Sequence, residues 1–398
     1  MIRSHKIALD PNNKQTAALA RNAGCARFAY NWALAEWIRQ YELGLKPNEG
    51  ALRRQLNSIK RAEFPWMLDS PKAVIQNAIM NLGRSFNNFF KKRSKYPKFK
   101  KKGIHDSFRP DDGPEKFKVE GLRVKLPKLG WIKLYEPLRF RGKLLSVSVS
   151  RTANRWYVSI AVELEETSIT YKNQGVIGVD LGVNAFATLS NGDRVVGPKP
   201  LKAALKKLRH LNKSLSRKEK GSKNRQKAKK KLAKYHDRIS RIRLDFLHKL
   251  TTDLVSRFNL IVIEDLNVKG MMKNRCLARL ISDMGFFEFK RQLLYKAEQY
   301  GNTIFIADRW FPSSKTCSHC GSIHKDLKLL DRVFHCPNCF ISIDRDLNAS
   351  INLKNLALSS RAVACGEVIR PNPVVWGEAA SMKQESTSNA TKVAFGKY

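Results

Sequence analysis

VIGVDLG (176–182) decides the fold: it reads as an apolar strand that carries one carboxylate, Asp180, in its middle. A lone carboxylate among apolar neighbours costs several kcal/mol to bury unless it is paired or binds a cation. A second strand, 185–189, ends at Asn191-Gly192, the strongest short hairpin signal. A third, 194–196, follows. Further on, NLIVIED (259–265) is a continuous apolar run of strand length ending in acids, the pattern of a buried central strand. Residues 286–300 read as a helix, 303–307 as another strand, and 344–353 as a closing helix.

Three strands with a hairpin, basic helices and then an acid-tipped strand read as an RNase H-like sheet. Three acids far apart in sequence then become candidates for one site. They are Asp180, Glu264, and one of Asp344 or Asp346 in DRDLNAS (344–350). Carboxylates gathered at strand ends and an adjacent helix suit two magnesium ions roughly 4 Å apart. One ion would activate a water and the other would stabilise the leaving oxygen of a phosphodiester. Each acid also has a structural reading: accepting backbone hydrogen bonds, ending a strand at solvent, or capping a helix.

Cys317-Ser318-His319-Cys320 and Cys336-Pro337-Asn338-Cys339 form two CxxC pairs. Four thiolates so spaced surround zinc tetrahedrally, which predicts a four-cysteine ribbon over 310–340. Four sulfurs complete a structural site, so His319, His324 and His335 are read as non-ligands. Cys25, Cys276 and Cys365 are scattered, and an odd total of seven cysteines does not resemble a secreted disulfide scaffold.

The chain has 398 residues, room for two or three domains, and a hydrophobic fraction of 42%, enough to bury real cores. Lys and Arg number 75 against 34 acids, a net charge of +41. A compact chain so charged repels itself unless a polyanion neutralises it, and nucleic acid is the leading partner. No apolar run reaches the roughly 18 residues of a transmembrane helix. The N-terminus lacks the apolar core of a signal peptide. A soluble protein of a reducing compartment is expected. Residues 202–243 hold 18 of the cations and two acids, Glu219 and Asp237. They read as two basic helices joined near Gly221-Ser222. Lys206, Lys213, Arg217 and Arg225 are candidate contacts to a polyanion there.

The first 170 residues read differently. A strand over 5–10 precedes helices over 15–41, 51–62 and 71–91. Alternating runs at 145–149 and 156–162 flank Thr152-Ala153-Asn154 as a hairpin. An antiparallel module follows, a small barrel completed by the first strand. The stretch 96–102 interleaves aromatics with cations; beside the reading as a solvated loop, Tyr96, Lys98, Lys100 and Lys101 are candidate backbone contacts to nucleic acid.

The chain resembles the TnpB (OrfB) transposon-encoded proteins, relatives of compact type V CRISPR effectors. The resemblance rests on IGVDLGVNAFATLSNG (177–192), IVIEDLNVKGM (261–271), SDMGFFEFKRQLLYKAEQYG (282–301), PSSKTCSHCG (312–321) and DRDLNASINL (344–353), with MKQE (382–385) in the tail. It implies an α/β multidomain fold: an RNase H-like (RuvC) nuclease domain with an inserted four-cysteine zinc ribbon, plus an N-terminal small β-barrel (wedge-like) with an inserted helical bundle. The implied boundaries are 1–170 for the barrel and helical module, 171–309 for the first nuclease part with basic helices over 202–247, 310–340 for the ribbon, 341–365 for the last nuclease part and 366–398 for a disordered tail. The RuvC acids would be Asp180, Glu264 and Asp346, the family pattern choosing Asp346 over Asp344.

The activity so implied is RNA-guided DNA cleavage beside a short adjacent motif, leaving a 5′ phosphate. Zinc, two magnesium ions and a guide RNA from the transposon end are the implied cofactors. Target double-stranded DNA is the partner, with no membrane, a monomer in a ribonucleoprotein, and a prokaryotic cytoplasm or nucleoid as the location. In similar proteins the N-terminal module grips the target-adjacent motif. Lys72 and Gln76, four apart on the helix from Pro71, are candidates for a phosphate and for adenine in the major groove. The alternatives are a transposase performing strand transfer, a nuclease-inactive RNA-guided repressor, which would need a broken acid set, and a zinc-ribbon RNA-binding protein, which leaves the acids unexplained.

Overall fold

A computed structural model describes residues 2–111, 113–164, 175–328, 330–359 and 366–369. The chain divides into two compact units, Met1–Thr167 and Ser168–Gly377. The domain boundary expected at 170 and the MKQE tail segment lie outside the described residues.

The first unit begins with β1 (Ile2–Asp10), followed by three helices, α1 (Asn13–Glu42), α2 (Glu49–Glu63) and α3 (Lys72–Phe90). Six strands follow: β2 (Ser107–Phe108), β3 (Lys118–Glu120), β4 (Arg123–Leu126), β5 (Gly130–Leu134), β6 (Lys143–Thr152) and β7 (Arg155–Glu163). A capping box between Asn12 and Gln15 starts α1. Its buried face recurs at Leu19, Ala23, Ala26, Ala29, Tyr30, Ala33 and Leu34, the helical period. Trp37 stacks on Phe86 of α3 with ring centroids 4.2 Å apart.

The β6–β7 hairpin turns at Ala153 and Asn154, held at φ +48° and +71°, the positive φ pair that a two-residue hairpin turn needs. The seven strands form one antiparallel sheet in the order β2-β6-β7-β1-β5-β4-β3. β1 pairs with β7 through Ile2–Ala8 and with β5 at Leu9 and Asp10. The first strand therefore bridges two halves of the sheet. Among the described residues no pairing joins the end strands β2 and β3 into a closed barrel.

The second unit contains β8 (Val176–Leu181), β9 (Ala187–Leu189), β10 (Arg194–Val195), α4 (Pro200–Ser216), α5 (Lys223–Arg257) and β11 (Leu260–Glu264). It continues with α6 (Val268–Met271), α7 (Ala278–Met284), α8 (Phe286–Tyr300) and β12 (Thr303–Ala307). A small hairpin, β13 (Val333–His335) and β14 (Ser342–Asp344), leads to α9 (Arg345–Leu358) and β15 (Gly366–Ile369). Residues 366–369, expected to belong to a disordered tail, instead add an antiparallel edge strand to β12.

The sheet order is β10-β9-β8-β11-β12-β15, with β8, β11 and β12 parallel and β9 antiparallel to β8. Its two faces follow the two-residue period of a strand. Ile177, Val179, Ile261, Ile263, Ile304 and Ile306 pack with α5 and α8 residues such as Leu254 and Phe289. Val262, Phe305 and Ala307 face the other way, onto Leu353 and Leu356 of α9. The basic helices α4 and α5 form a hairpin around Ala204, Leu208 and Ile239. No helix among the described residues is long and apolar enough to cross a membrane.

Candidate active site and zinc centre

Strand alternation alone sends Asp180 and Glu264 to the α9 face of the sheet. Val179 and Ile263 are paired across the parallel β8–β11 ladder and share the opposite face, so the next residue on each strand turns toward α9. Neighbouring strands lie about 4.8 Å apart. Gly178 lets α9 lie directly on β8: a Cβ there would stand 2.0 Å from the Ser350 carbonyl oxygen and 2.7 Å from the Lys354 nitrogen. Asp346 is one helical turn before Ser350, about 6 Å. Asp180 is two strand positions beyond Gly178, about 6.6 Å. The two steps match, and Asp346 comes into line with Asp180.

The electrostatics agree. Burial, and then the negative charges of Glu264 and Asp346, raise the Asp180 carboxyl well above the usual carboxylate range, with Arg345 opposing. Burial likewise raises Glu264, against a hydrogen bond from Ser313. No hydrogen bond or ion pair from a described residue satisfies the Asp180 carboxylate. Among the described residues the cysteines alone bring four ligand atoms within 4.8 Å of one another, so the acids do not converge on one point.

Neighbouring acids are already engaged. Asp344 caps α9, its Oδ1 accepting from the Asp346 and Leu347 amides, both at 3.0 Å. Asp344 thus serves the helix terminus, while Asp346 lies 3.7 Å from the Arg345 guanidinium. Asp265 accepts from Lys290 at 2.9 Å and from Arg309, and these cations hold its carboxyl low despite burial.

Several residues around the site carry no motif of their own. Ser313 donates its hydroxyl to Glu264. Asn348 donates to the Thr316 carbonyl at 2.7 Å and accepts from the Ser318 amide at 2.9 Å. Asn352 donates to the carbonyls of Ser313 at 2.8 Å and Thr316 at 2.6 Å. The two asparagines, four apart and buried, tie α9 to the loop that holds Ser313. Polar residues on an otherwise apolar helix face were the available sequence signal. Arg194 of β10 reaches Asp344 at 3.5 Å and Asp346 at 3.9 Å. A cleft of about 380 Å³ opens beside Glu264, walled by Asn267, Arg309, Trp310, Pro312 and Lys315.

The four cysteines converge as their spacing predicts. The Cys317 and Cys339 sulfurs are 3.6 Å apart and those of Cys320 and Cys336 are 3.5 Å apart. A tetrahedron with Zn–S bonds of about 2.3 Å has sulfurs about 3.8 Å apart, so the set fits zinc. The Cys336 sulfur accepts from the amides of Asn338 and Cys339, both at 3.4 Å. The Ser322 hydroxyl, followed by its amide, holds Cys320 down to about 5. No histidine belongs to the cluster; His324 lies edge-on to Phe334, 6.0 Å away.

The predicted nucleic-acid residues divide. Lys206, Lys213 and Arg217 are exposed along α4 and its end, and Lys98 and Lys101 are exposed in the loop after α3. Lys72 is exposed at the start of α3, one turn from half-buried Gln76. It lies close enough to Lys60, itself lowered chiefly by burial, to lower it further. Three others have internal partners. Arg225 donates to the Leu215 and Lys218 carbonyls at 3.0 and 2.7 Å, stapling the α4–α5 turn. Lys100 is also exposed but places its ammonium 4.1 Å from the Tyr30 ring centroid. Tyr96 sets its ring edge-on to Phe86 and Phe89, at 5.6 and 5.2 Å.

Comparison with known proteins places this architecture. An OrfB family model described as "Probable transposase" matches residues 159–275, a Cas12f1-like TNB domain matches 286–353, and a "Helix-turn-helix domain" matches 1–46. An Escherichia coli K12 protein named "Putative RNA-guided DNA endonuclease InsQ" is 34% identical over 386 residues, covering 93% of this chain and 95% of its own length. The chain belongs to the TnpB (OrfB) family. A Streptomyces pristinaespiralis relative of this TnpB-like protein, named "Putative RNA-guided DNA endonuclease", is 36% identical over 93% of this chain and 92% of its own. A solved structure of CasPhi-2 (Cas12j) bound to crRNA is similar at a TM-score of 0.46 and 10% identity, covering 90% of this chain and 98% of that one. Of the candidate residues, Asp180 and Glu264 fall within the match over 159–275, and the cysteines and Asp346 within that over 286–353. Residues 1–46 correspond here to strand β1 and the long helix α1.

Proposed function

We propose that this TnpB-like protein is an RNA-guided DNA endonuclease, with an RNase H-like (RuvC) unit cutting target DNA beside a short adjacent motif. What supports the reading is that Asp180, Glu264 and Asp346, from three separate segments, lie near enough for the charges of the other two to act on the buried Asp180 carboxyl, without meeting at a single point. The names of its relatives point the same way. The three carboxylates are the residues that would hold two divalent cations, and such ions would supply a lower pKa for an attacking water and charge stabilisation at the leaving phosphodiester oxygen. The chain's own residues arrange the rest. Ser313 orients Glu264, Gly178 sets the depth of α9 on β8, and Asp344 takes the helix cap while Arg194 and Arg345 flank Asp346.

Zinc in the four-cysteine ribbon is structural, because four sulfurs leave no open position. The guide RNA comes from the transposon end, and base pairing reads the target while the protein reads backbone and shape. The exposed cations of α4, α5 and the 98–101 loop neutralise the backbones. Lys72 and Gln76 read the adjacent motif. The chain works as a monomer within a ribonucleoprotein.

The test is to co-express the gene with its flanking DNA, sequence the co-purifying RNA, and challenge the complex with a plasmid library carrying a randomised motif. Depletion of one motif with 5′-phosphate ends is expected, together with its loss in Asp180→Ala while RNA and target binding persist. Undiminished cutting by Asp180→Ala would refute the assignment. The "Probable transposase" description favours strand transfer as a second reading. Strand-joined products in place of free ends would establish it.

A further inference from the structure

Trp310 leaves 85% of its surface exposed. Single exposed apolar side chains are common, and exposure alone carries nothing. Its setting singles it out. The ring stands on the wall of the cleft that opens beside Glu264. The backbone beneath it is pinned on both sides: the Trp310 amide donates to Asp308 Oδ1 at 2.8 Å, Phe311 donates to the Asp308 carbonyl at 3.1 Å, and Ser313 donates to the Phe311 carbonyl at 2.8 Å. Arg309 is tied to Asp265, and Phe311 packs against the α9 core. A rigid turn therefore presents a free indole face beside a carboxylate of the candidate active site.

The cleft is not a phosphate groove. Its cations, Arg309 and Lys315, are balanced by Glu264, Asp265 and Asp308, and Arg309 is already ion-paired. A mixed lining of this kind suits an uncharged planar group, whereas the phosphates of the same strand belong at the acids with their cations. Stacking on an aromatic face is how proteins hold an unpaired base without reading its identity.

We infer that Trp310 is a positioning residue that stacks one unpaired base of the DNA strand being cut, fixing the neighbouring phosphodiester over Asp180, Glu264 and Asp346. This rests on the nuclease reading above. Base–aromatic stacking, measured by alanine substitution, is worth roughly 5- to 150-fold in equilibrium. The occupant is single-stranded DNA of any sequence, since every base offers a face.

The test couples the ring to the base. The complete ribonucleoprotein is given synthetic targets in which one base at a time near the cut site is replaced by an abasic residue, and single-turnover cleavage rates are compared. The unmodified protein should lose roughly 5- to 150-fold at one position. Trp310→Ala should be slowed to a similar degree on intact DNA and lose nothing more from the abasic residue at that position. Trp310→Phe should recover both the rate and the position-specific sensitivity. Unchanged melting temperature and target binding in Trp310→Ala would separate positioning from folding.

Additive losses from the ring and the base, or equal sensitivity at every position, would overturn the inference while leaving the nuclease reading intact. A complex that cuts no target at all would overturn both.

Discussion

Replacing Gly178 with alanine tests how the site is built without touching any of its acids. The new Cβ would lie 2.0 Å from the Ser350 oxygen and 2.7 Å from the Lys354 nitrogen, where ordinary contact begins at 3.4 Å. Both obstacles are backbone, so no side chain can swing aside. Helix α9 must lift by about 1.4 Å, the difference between 2.0 and 3.4 Å. Overpacking of this kind costs about 1–3 kcal/mol. A gain of about 0.4–1 kcal/mol from a stiffer unfolded chain offsets part of it.

For a unit of this size each kcal/mol moves the melting temperature about 2–4 °C, so the expected fall is modest. The catalytic effect should be much larger. Asp346 rides on α9, and a misplacement of about 1 Å costs on the order of 100-fold in rate. The assay is single-turnover cleavage of a matched target by the assembled ribonucleoprotein, with melting and guide binding measured in parallel. Gly197→Ala is the control, because its new Cβ would meet Phe186 and Met284 atoms at 3.4–3.7 Å, ordinary contact distances. Wild-type cleavage by Gly178→Ala would refute the claim that this contact sets the position of Asp346. An unchanged rate and an unchanged melting temperature together would refute the contact itself.

Other expectations concern the charges and the ribbon. Asp180 is raised in the folded state, so its favourable contribution is complete below its unfolded pKa of about 3.9 and is lost as pH rises through the raised value. Asp180→Asn should therefore raise the melting temperature in chelator at neutral pH, and the gap should close toward pH 4; a lower melting temperature would contradict the burial argument. Cys336→Ser should remove the bound zinc, about one per chain by metal analysis, and abolish cleavage; full activity without zinc would detach the ribbon from the site. Alanine at Lys206, Lys213 or Arg217 should each flatten the salt dependence of nucleic-acid binding by about one contact. Arg225→Ala should instead lower the melting temperature, and a slope change without destabilisation would show that its guanidinium is not committed to the turn.

The sequence made legible what depends on local pattern. Apolar strands, the CxxC spacing and the acids of VIGVDLG, IVIED and DRDLN are visible because strand period and ligand chemistry are written residue by residue. What stayed hidden depends on three-dimensional approach. Gly178 looks like any strand glycine until α9 is laid upon it. That Asp344 caps α9 depends on the direction of its carboxylate, which the sequence does not carry. The cations of 98–101 and 202–243 could be counted, but not which of them had internal partners; Lys100 on Tyr30 and Arg225 on the Leu215 carbonyl were invisible to a charge count. Strand β15 is four residues long, too short to carry a period of its own.

On the proposed nuclease reading, the insertion point of the ribbon gives a site with no open coordination position a part in catalysis. The chain leaves β12 at Ala307 and passes the Glu264 cleft. It then runs through the cysteine segment and returns along β14, whose last residue caps α9. Ser313 on the outgoing side holds Glu264, and Asp346 rides on the returning side. Asn348 and Asn352 clasp the two sides with four hydrogen bonds to residues 313–318. A typical hydrogen bond contributes only about 1 kcal/mol net. Four such bonds are of the same order as the entropy of fixing a few backbone residues, at about 1–2 kcal/mol each. The clasp cannot by itself order the segment between Ser313 and Asp344. Zinc in small domains supplies about 10–16 kcal/mol of apparent binding energy. That term is large enough to hold the excursion closed and leave the asparagines to set its position. A zinc-filled ribbon would thus make Glu264 and Asp346, far apart along the chain, one rigid pair.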